Sequence, residues 1–324
     1  MSIIFVTGAS GFVGGAVARH LVGKGHQVRA MSRTEASDEV VRKLGAIPVR
    51  CALNETHADD LFGCDYLIHC AAKVEEWGEL GDYWRTNVTG TKNLLEAAEQ
   101  AQVKRFVHVG TEAAIFHGQH IRNADESYPL AFDSPFPYAQ TKAHAEAAVK
   151  RAADISPHFE TIVIRPRFVW GPGDQTVLPV ITDMAAKGRF TWVNEGRNMT
   201  SSTHIDNLVH ALELALTRGT SGESYFVLDG PPAVFKEFVT RYAATAGVTL
   251  PDKSIPAWVA KSAAFILEPI WRLLKSKTPP PITRFGAALL ASDCILLDAK
   301  ARAELGYAPV VSVEEGMKAL MQPA

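Results

Sequence analysis

The first fourteen residues, M-S-I-I-F-V-T-G-A-S-G-F-V-G, constrain this chain more than any other stretch. Ile3 to Val6 is a short apolar run, largely β-branched, and reads as a buried strand. Thr7-Gly8-Ala9-Ser10-Gly11 is too glycine-rich to prolong it. From Phe12 a helical pattern begins, with Val13, Val17 and Leu21 spaced by four. No residues are spare between strand, turn and helix. The helix N-terminus, with its free N–H groups and positive dipole end, therefore faces whatever lies over the turn. Glycines at 8, 11 and 14 clear the approach for a pyrophosphate. The spacing is G-x-x-G-x-x-G, not the commoner dinucleotide G-x-G-x-x-G. A tight turn with close helix–strand packing is the plainer alternative. The flanking strand and helix favour a nucleotide site, with Gly8, Ser10, Gly11, Phe12, Val13 and Gly14 as its contacts.

Composition narrows the class. The chain has 324 residues, 47% hydrophobic and 21% charged, which fits a globular protein with a sizeable core. A formal net charge of −2 supplies no basic field for nucleic acid, so none is expected as a partner. Cys51, Cys64, Cys70 and Cys294 form no CxxC pair and no metal spacing. Free thiols in a reducing compartment, and no metal, are expected. The first strand starts almost at once, so no signal peptide and a cytoplasmic location are expected. Ile255 to Leu274 is the most apolar later stretch, but Lys261, Glu268 and Arg272 make it a poor membrane span.

The chain then alternates strands and helices. Strands are expected at Gln27–Met31, Ile47–Cys51, Asp65–Ala72, Lys104–Val109 and Glu160–Ile164. Helices are expected at Glu39–Leu44, Asp59–Phe62 and Gly81–Gln100. This is the pattern of an α/β, Rossmann-type doubly wound parallel sheet. Residues 1–170 read as the dinucleotide-binding domain. Residues 171–324 read mainly as a smaller substrate-binding lobe, with the chain free to cross between the two. Strand two closes on Ser32-Arg33 with no acid until Glu35. An acid at that position binds a ribose 2′-hydroxyl, whereas an Arg fork pairs with a 2′-phosphate. Arg33 therefore favours NADP(H) over NAD(H), the plainer alternative being a solvated residue at a helix start. His69 reads as a core histidine. His117 and His120 lie in a long polar loop, 116–137, without the partners a metal needs.

A helix with proline at its start carries Tyr138-Ala-Gln-Thr-Lys142. Tyr138 and Lys142 are four apart and share a face. A phenol titrates near 10, and a Lys⁺ within reach favours the phenolate and brings acid–base work closer to neutral pH. A hydroxyl from Thr111, just beyond strand five, completes such a site. The spacing alone is weak; its place after strand five, in a chain that opens on a nucleotide turn, gives it weight.

The whole set of motifs resembles the extended short-chain dehydrogenase/reductases, within the superfamily of NAD(P)-dependent epimerases and dehydratases. The likeness is strongest to the 3β-hydroxysteroid dehydrogenase-like branch. It rests on T-G-A-S-G-F-V-G (7–14), N-V-T-G-T-K-N-L-L-E-A-A (87–98), F-V-H-V-G-T-E-A (106–113), Y-A-Q-T-K (138–142), R-P-R-F-V-W-G-P-G-D (165–174) and T-H-I-D-N-L-V-H-A (203–211). The resemblance implies that Tyr138 is the general acid/base and that Lys142 lowers its pKa and binds the nicotinamide ribose. It implies that Thr111 holds the substrate oxygen and that Asn87 supports the catalytic architecture. Ala71, Ala72 and Lys73 would line the middle of the cofactor, and the backbone of Arg167, Phe168 and Val169 would meet the carboxamide. Two departures stand out. Cys51-Ala52-Leu53-Asn54 offers no acid for adenine, and Gly110 replaces a common Ser before Thr111.

The function expected is NADP(H)-dependent interconversion of a hydrophobic secondary alcohol and ketone: steroid-like, a β-keto acid or a phenolic ketone. Trp192, Trp258, Phe265, Ile266, Leu267, Ile270, Trp271 and Leu274 supply apolar surface, although most read as core. Residues 256–277 read first as a packed helix, with a pocket cap or peripheral membrane contact as alternatives. One rival is a nucleotide-sugar epimerase or dehydratase with tightly bound NAD, for which Arg165, Arg167 and Arg197 are candidate diphosphate partners. Another is a non-catalytic NADP-sensing protein, which would need none of Thr111, Tyr138 and Lys142. A homodimer through the surfaces of helices four and five is expected by analogy only.

Overall fold

The computed structural model describes residues 1–321. Its first five strands are β1 (Ile3–Thr7), β2 (Gln27–Ser32), β3 (Ile47–Arg50), β4 (Tyr66–His69) and β5 (Arg105–Val109). With Glu160–Pro166 and Glu223–Val227 they form one parallel sheet of seven strands. The order is β3-β2-β1-β4-β5, then 160–166, then 223–227. The strand order reverses beside β1, so the crevice at the carboxyl ends of β1 and β4 is where such a sheet takes a ligand.

Both faces of this sheet are covered, which explains its continuous apolar strands. Ile4, Val6, Ile68, Val107, Ile162 and Ile164 point to one face. There they meet Val17 and Leu21 of α1 (Phe12–Gly23) and Leu208 and Leu212 of the helix Ile205–Ala215. Phe5, Leu67, Phe106 and Val163, one residue out of phase, point to the other face and meet Leu94, Leu95 and Val149.

The structure corrects several boundaries. The expected helix 39–44 is α2 (Glu35–Lys43), four residues earlier at its start. Thr34 caps it, and Ser37 closes a reciprocal box that usually takes Glu or Gln. The polar loop 116–137 contains a strand, Ile121–Ala124, which pairs with Cys294–Leu296. No local pattern announces it because its partner lies far along the chain. The sheet has a seventh strand because Glu223–Val227 returns to it beside 160–166. The helix 205–215 and this strand thus build on the sheet from beyond residue 170.

The run expected as one long helix, 81–100, is helical over Leu80–Gln100 but not uniform. It is α-helical at Leu80–Tyr83 and Gly90–Gln100, with a π-type segment at Trp84–Thr89 between them. Such wide turns hold one extra residue and recur at functional sites. Asn87 lies in it.

The expectation that the apolar residues of 256–277 are mostly core does not hold. Helix Ala257–Leu273 buries only Ala260 and Ala264, whereas Trp258, Phe265, Ile266, Ile270 and Leu274 are exposed. Trp192 is core, packed edge-on against Phe190. Among the described residues, no helix is long and apolar enough to cross a membrane.

One buried ion pair ties the helix Pro137–Ile155 to the sheet. Glu146, on helix Pro137–Ile155, accepts Arg165 Nε at 3.0 and 2.9 Å and the Ser224 hydroxyl at 2.6 Å. Both charged side chains are 1% exposed, and the Arg165 guanidinium also lies over the Phe226 ring. Removing the carboxylate strands a charge that already has one unpartnered nitrogen, Nη1. Glu146→Gln is expected to lower the unfolding free energy by about 3–5 kcal/mol in urea titrations. A loss under about 1 kcal/mol would mean the arginine finds water or another partner.

Candidate active site

The glycine turn is shaped as its spacing demands. Gly8 has φ +72°, and a Cβ there would lie 3.0 Å from Ala71 N. A Cβ on Gly14 would lie 2.3 Å from Gly8 O, so α1 rests directly on the turn. At Gly11 the nearest atom to such a Cβ is 3.4 Å away, an ordinary contact. Gly8 and Gly14 are therefore required by packing. Gly11, the N-cap of α1, carries no side chain to fill the space before the helix. A turn of this shape at a helix N-terminus could hold an anion, and the space fits a dinucleotide pyrophosphate. Ser10 and Gly11 are exposed, Phe12 and Val13 partly so. The Phe12 ring lies against Gly173 of the R-P-R-F-V-W-G-P-G-D segment.

The end of β4 is locked to the same turn. The Thr7 hydroxyl accepts the N–H groups of Cys70 (3.1 Å) and Ala71 (3.0 Å). Its proton goes to His69 Nδ1 at 2.8 Å. His69 Nε2 then donates to Thr91 Oγ1 at 3.0 Å, and Thr91 donates to Asn87 O. These roles close only with a neutral His69, protonated on Nε2. The core role expected for His69 is what the structure shows. Burial, helped by the Lys142 charge, pushes its pKa down to about 3.

Asn87 does not face the phenol or the ammonium. Its Oδ1 accepts Lys73 N–H at 2.7 Å, and its Nδ2 donates to Lys73 O and to Thr141 Oγ1, both at 3.1 Å. It clamps the chain that follows Ala71 and Ala72.

Thr111 lies beside the Tyr138 phenol just past the end of β5, whereas Lys142 turns back to that strand. Lys142 is buried and donates to Val109 O at 2.8 Å and to His108 Nε2 at 3.2 Å. Burial lowers its pKa to about 8, with Glu146 and Cys70 opposing. His108 sits well below the ordinary histidine value, first from burial and then from Lys142, so it receives this bond as a neutral ring. The Tyr138 phenol, however, is pushed up, by burial first and then by the Glu112 carboxylate. Thr111 and Arg167 oppose that rise, whereas Lys142 is not among its causes. The shared helix face alone therefore does not give the depressed phenol expected from the sequence, because the lysine reaches back to strand β5.

Glu112 is a buried group that the motif reading passed over, although it follows Thr111 directly. It accepts the Thr111 hydroxyl at 2.8 Å and Arg167 Nη1 at 2.6 Å. Thr111 also accepts Ala113 N–H. Phe168 adopts a left-handed backbone, φ +44°, and its ring packs on Phe235 and Phe238. Its neighbours are pinned by Arg167 N–H to Thr203 Oγ1 at 3.0 Å and by pairing of Val169 with Thr203. The Gly110 departure has a packing cause: a Cβ there would lie 2.8 Å from Val163 Cγ1.

At the end of β2, Arg33 is exposed, immediately before the Thr34 cap. Arg50 lies opposite Ser32 in the sheet, and both bond the buried Asp38. Strand pairing that no local motif reveals thus brings the Arg50 guanidinium onto the carboxylate that also takes Ser32. Asp38 is held below the usual carboxylate range, chiefly by Arg50.

Comparison with known proteins accords with this geometry. The model of the 3-beta hydroxysteroid dehydrogenase/isomerase family matches residues 5–257. A 4-hydroxy-2-methyl-3-oxo-4-farnesyl-3,4-dihydroquinoline-1-oxide ketoreductase of Stigmatella aurantiaca is 40% identical over 98% of this chain and 95% of its own. A 2-alkyl-3-oxoalkanoate reductase of Stenotrophomonas maltophilia is 37% identical over 98% of each. A UDP-glucose 4-epimerase of Thermotoga maritima, 21% identical, superposes with a TM-score of 0.76 over 98% of this chain and 97% of its own, a likeness of fold. The chain belongs to the 3-beta hydroxysteroid dehydrogenase/isomerase family and is an extended short-chain dehydrogenase/reductase. It is an NAD(P)-dependent enzyme of hydroxyl and keto groups.

The neutral His69 has a measurable consequence. Its folded pKa lies below its unfolded value near 6.5, so its contribution is full above that pH and is lost as pH falls toward about 3. Between about pH 6 and about pH 4.5, His69→Gln is expected to flatten the fall in unfolding free energy by about 1.4 kcal/mol per pH unit. Parallel slopes for the two proteins would show that His69 is protonated in the fold.

Proposed function

We propose that the chain interconverts a hydrophobic secondary alcohol and its ketone with NADP(H), Tyr138 serving as acid/base. The observation that carries this is Thr111 beside the Tyr138 phenol just past β5, with a buried Lys142 one helical turn on reaching Val109 O at the end of that strand, in a sheet whose β1 turn leaves room for an anion. Residues 1–170 would hold most of the dinucleotide, and much of the remainder would enclose the substrate. Gly8 to Gly14 would cradle the pyrophosphate, Ala71 to Lys73 would lie along its middle, and the backbone of 167–169 would meet the carboxamide. Arg33 would pair with a 2′-phosphate.

A bound nicotinamide supplies or takes the hydride at the carbinol carbon. Tyr138 gives a proton to the carbonyl oxygen in reduction and takes it back in oxidation. Lys142, held on Val109 O and His108, would bind the ribose hydroxyls. With its proton on Glu112, Thr111 offers a lone pair to an alcohol O–H. Turning that hydroxyl offers the proton to a ketone oxygen instead. Asn87 acts as a positioning residue through Lys73.

The apolar substrate is supported by the two reductases named above, whose names describe ketones carrying farnesyl or alkyl groups. The nucleotide-sugar reading loses two of its candidate arginines. Arg165 is spent on Glu146 and Arg167 on Glu112, while Arg197 pairs with Glu195 at the surface.

The test is oxidation of NADPH and NADH against 2-alkyl-3-oxo acids, sterones and UDP-sugars. NADPH-dependent reduction of an apolar ketone is expected. Turnover of a UDP-sugar without net cofactor use overturns the proposal. Tyr138→Phe should lower kcat by about a hundredfold or more, and an unchanged kcat would remove the acid/base assignment. Arg33→Asp should shift the ratio of NADPH to NADH affinity toward NADH by about tenfold or more. A wild-type preference for NADH would refute the 2′-phosphate role.

A further inference from the structure

Helix Ala257–Leu273 is built opposite to an ordinary surface helix. Its inward residues are small: Ala260 and Ala264 pack on Val193, Ala287 and Ala291. Its large side chains face out. Trp258, Phe265, Ile266, Ile270, Leu273 and Leu274 are 44–84% exposed. Their spacing of seven, one, four, three and one places them along one face. An apolar strip of this length marks an interaction surface.

The helix is held firmly to the protein. Trp77 Nε1 donates to Ser276 O at 2.9 Å, and the Arg272 guanidinium lies 4.6 Å from the Trp77 ring centroid. The outward face is thus presented by a fixed element.

Charge selects the occupant. Residues 257–277 contain Lys261, Arg272, Lys275 and Lys277 against one acid, Glu268, a net of +3 in a chain whose total is −2. That acid is neutralised in place: Glu268 accepts Arg284 N–H at 2.8 Å and Arg272 Nη2 at 3.4 Å, and its side chain is 14% exposed. Lys261, Lys275 and Lys277 are exposed beside the apolar strip. A second copy seated on this face would bring like charges together, which disfavours pairing. An anionic bilayer satisfies both features at once. The apolar side chains enter the acyl boundary while the lysines meet lipid phosphates.

We propose that helix 257–273 docks the protein on the surface of an anionic lipid bilayer, lying in the interface and not crossing it. This does not depend on which ketone the enzyme reduces, and its test reads no turnover.

The test is flotation of the full chain with vesicles of phosphatidylcholine alone or with a quarter phosphatidylglycerol. Binding to the anionic vesicles, weakened by added salt, is expected. Leu273→Glu/Leu274→Glu should cut partitioning by about tenfold or more, with an unchanged thermal midpoint showing that the fold is intact. The milder Lys275→Gln/Lys277→Gln should lower binding to anionic vesicles and leave the weak binding to neutral ones unaltered. Failure of the wild-type protein to bind anionic vesicles overturns the proposal. So does light scattering that shows a dimer in the wild type but a monomer in the Leu273/Leu274 variant, which would assign the face to a second copy.

Discussion

Much of this molecule depends on one approach that leaves no room for a side chain. The first turn of α1 sits on the carbonyl of Gly8 so closely that a Cβ at Gly14 would overlap it. This contact sets the helix over the carboxyl edge of the sheet. The same turn brings Gly8 against Ala71, so the ends of β1 and β4 are held together. Thr7 completes the joint by capping Cys70 and Ala71 and bonding His69. The relay from Thr7 through His69 and Thr91 ends on Asn87, which holds Lys73. A backbone constraint at residue 14 is thereby transmitted to a loop nearly sixty residues away.

What could be read in the amino-acid order follows this geometry. The β1–α1 turn was legible because Gly14 answers a contact made within a few residues of chain, on Gly8 O, although Gly8 itself answers Ala71 far along it. The helix bearing Tyr138 and Lys142 was legible for the same reason, since a proline start and alanine-rich turns are local signals. The seven-stranded sheet was legible in kind but not in count. Glu223–Val227 completes it only because it pairs with 160–166, and no window of sequence contains both. The strand at Ile121 was hidden in the same way by its distant partner at Cys294. Helix 257–273 misled because its apolar content gives no sign of which way its small residues face.

The candidate site shows where pattern and electrostatics part. A Tyr and a Lys four apart do share a helix face, yet each answers to a different neighbour. Lys142 is drawn to a strand carbonyl and a neutral histidine, and the phenol feels the Glu112 carboxylate. Both of those partners come from β5 and the turn after it, brought near by packing. Buried charge here is handled by pairing. Glu146 with Arg165 and Glu112 with Arg167 leave Lys142 as the buried cation whose partners are neutral. Burial lowers its pKa, and the Glu146 carboxylate offsets that only in part.

The π-type segment at Trp84–Thr89 has a bearing on how this chain can change over evolutionary time. An extra residue in one wide turn resets the angular phase of everything after it, by about 100° relative to an unbroken α-helix. Ahead of the reset stands Tyr83, fully buried; after it stand Thr91, Leu94 and Leu95 on the sheet. Loss of a single residue between 84 and 89 would restore a regular helix and barely shorten it. It would also turn the Asn87 clamp and the Leu94 packing face away from each other. Insertions and deletions that a smooth surface helix absorbs are therefore filtered at this point by two unrelated demands, one from the core and one from the site.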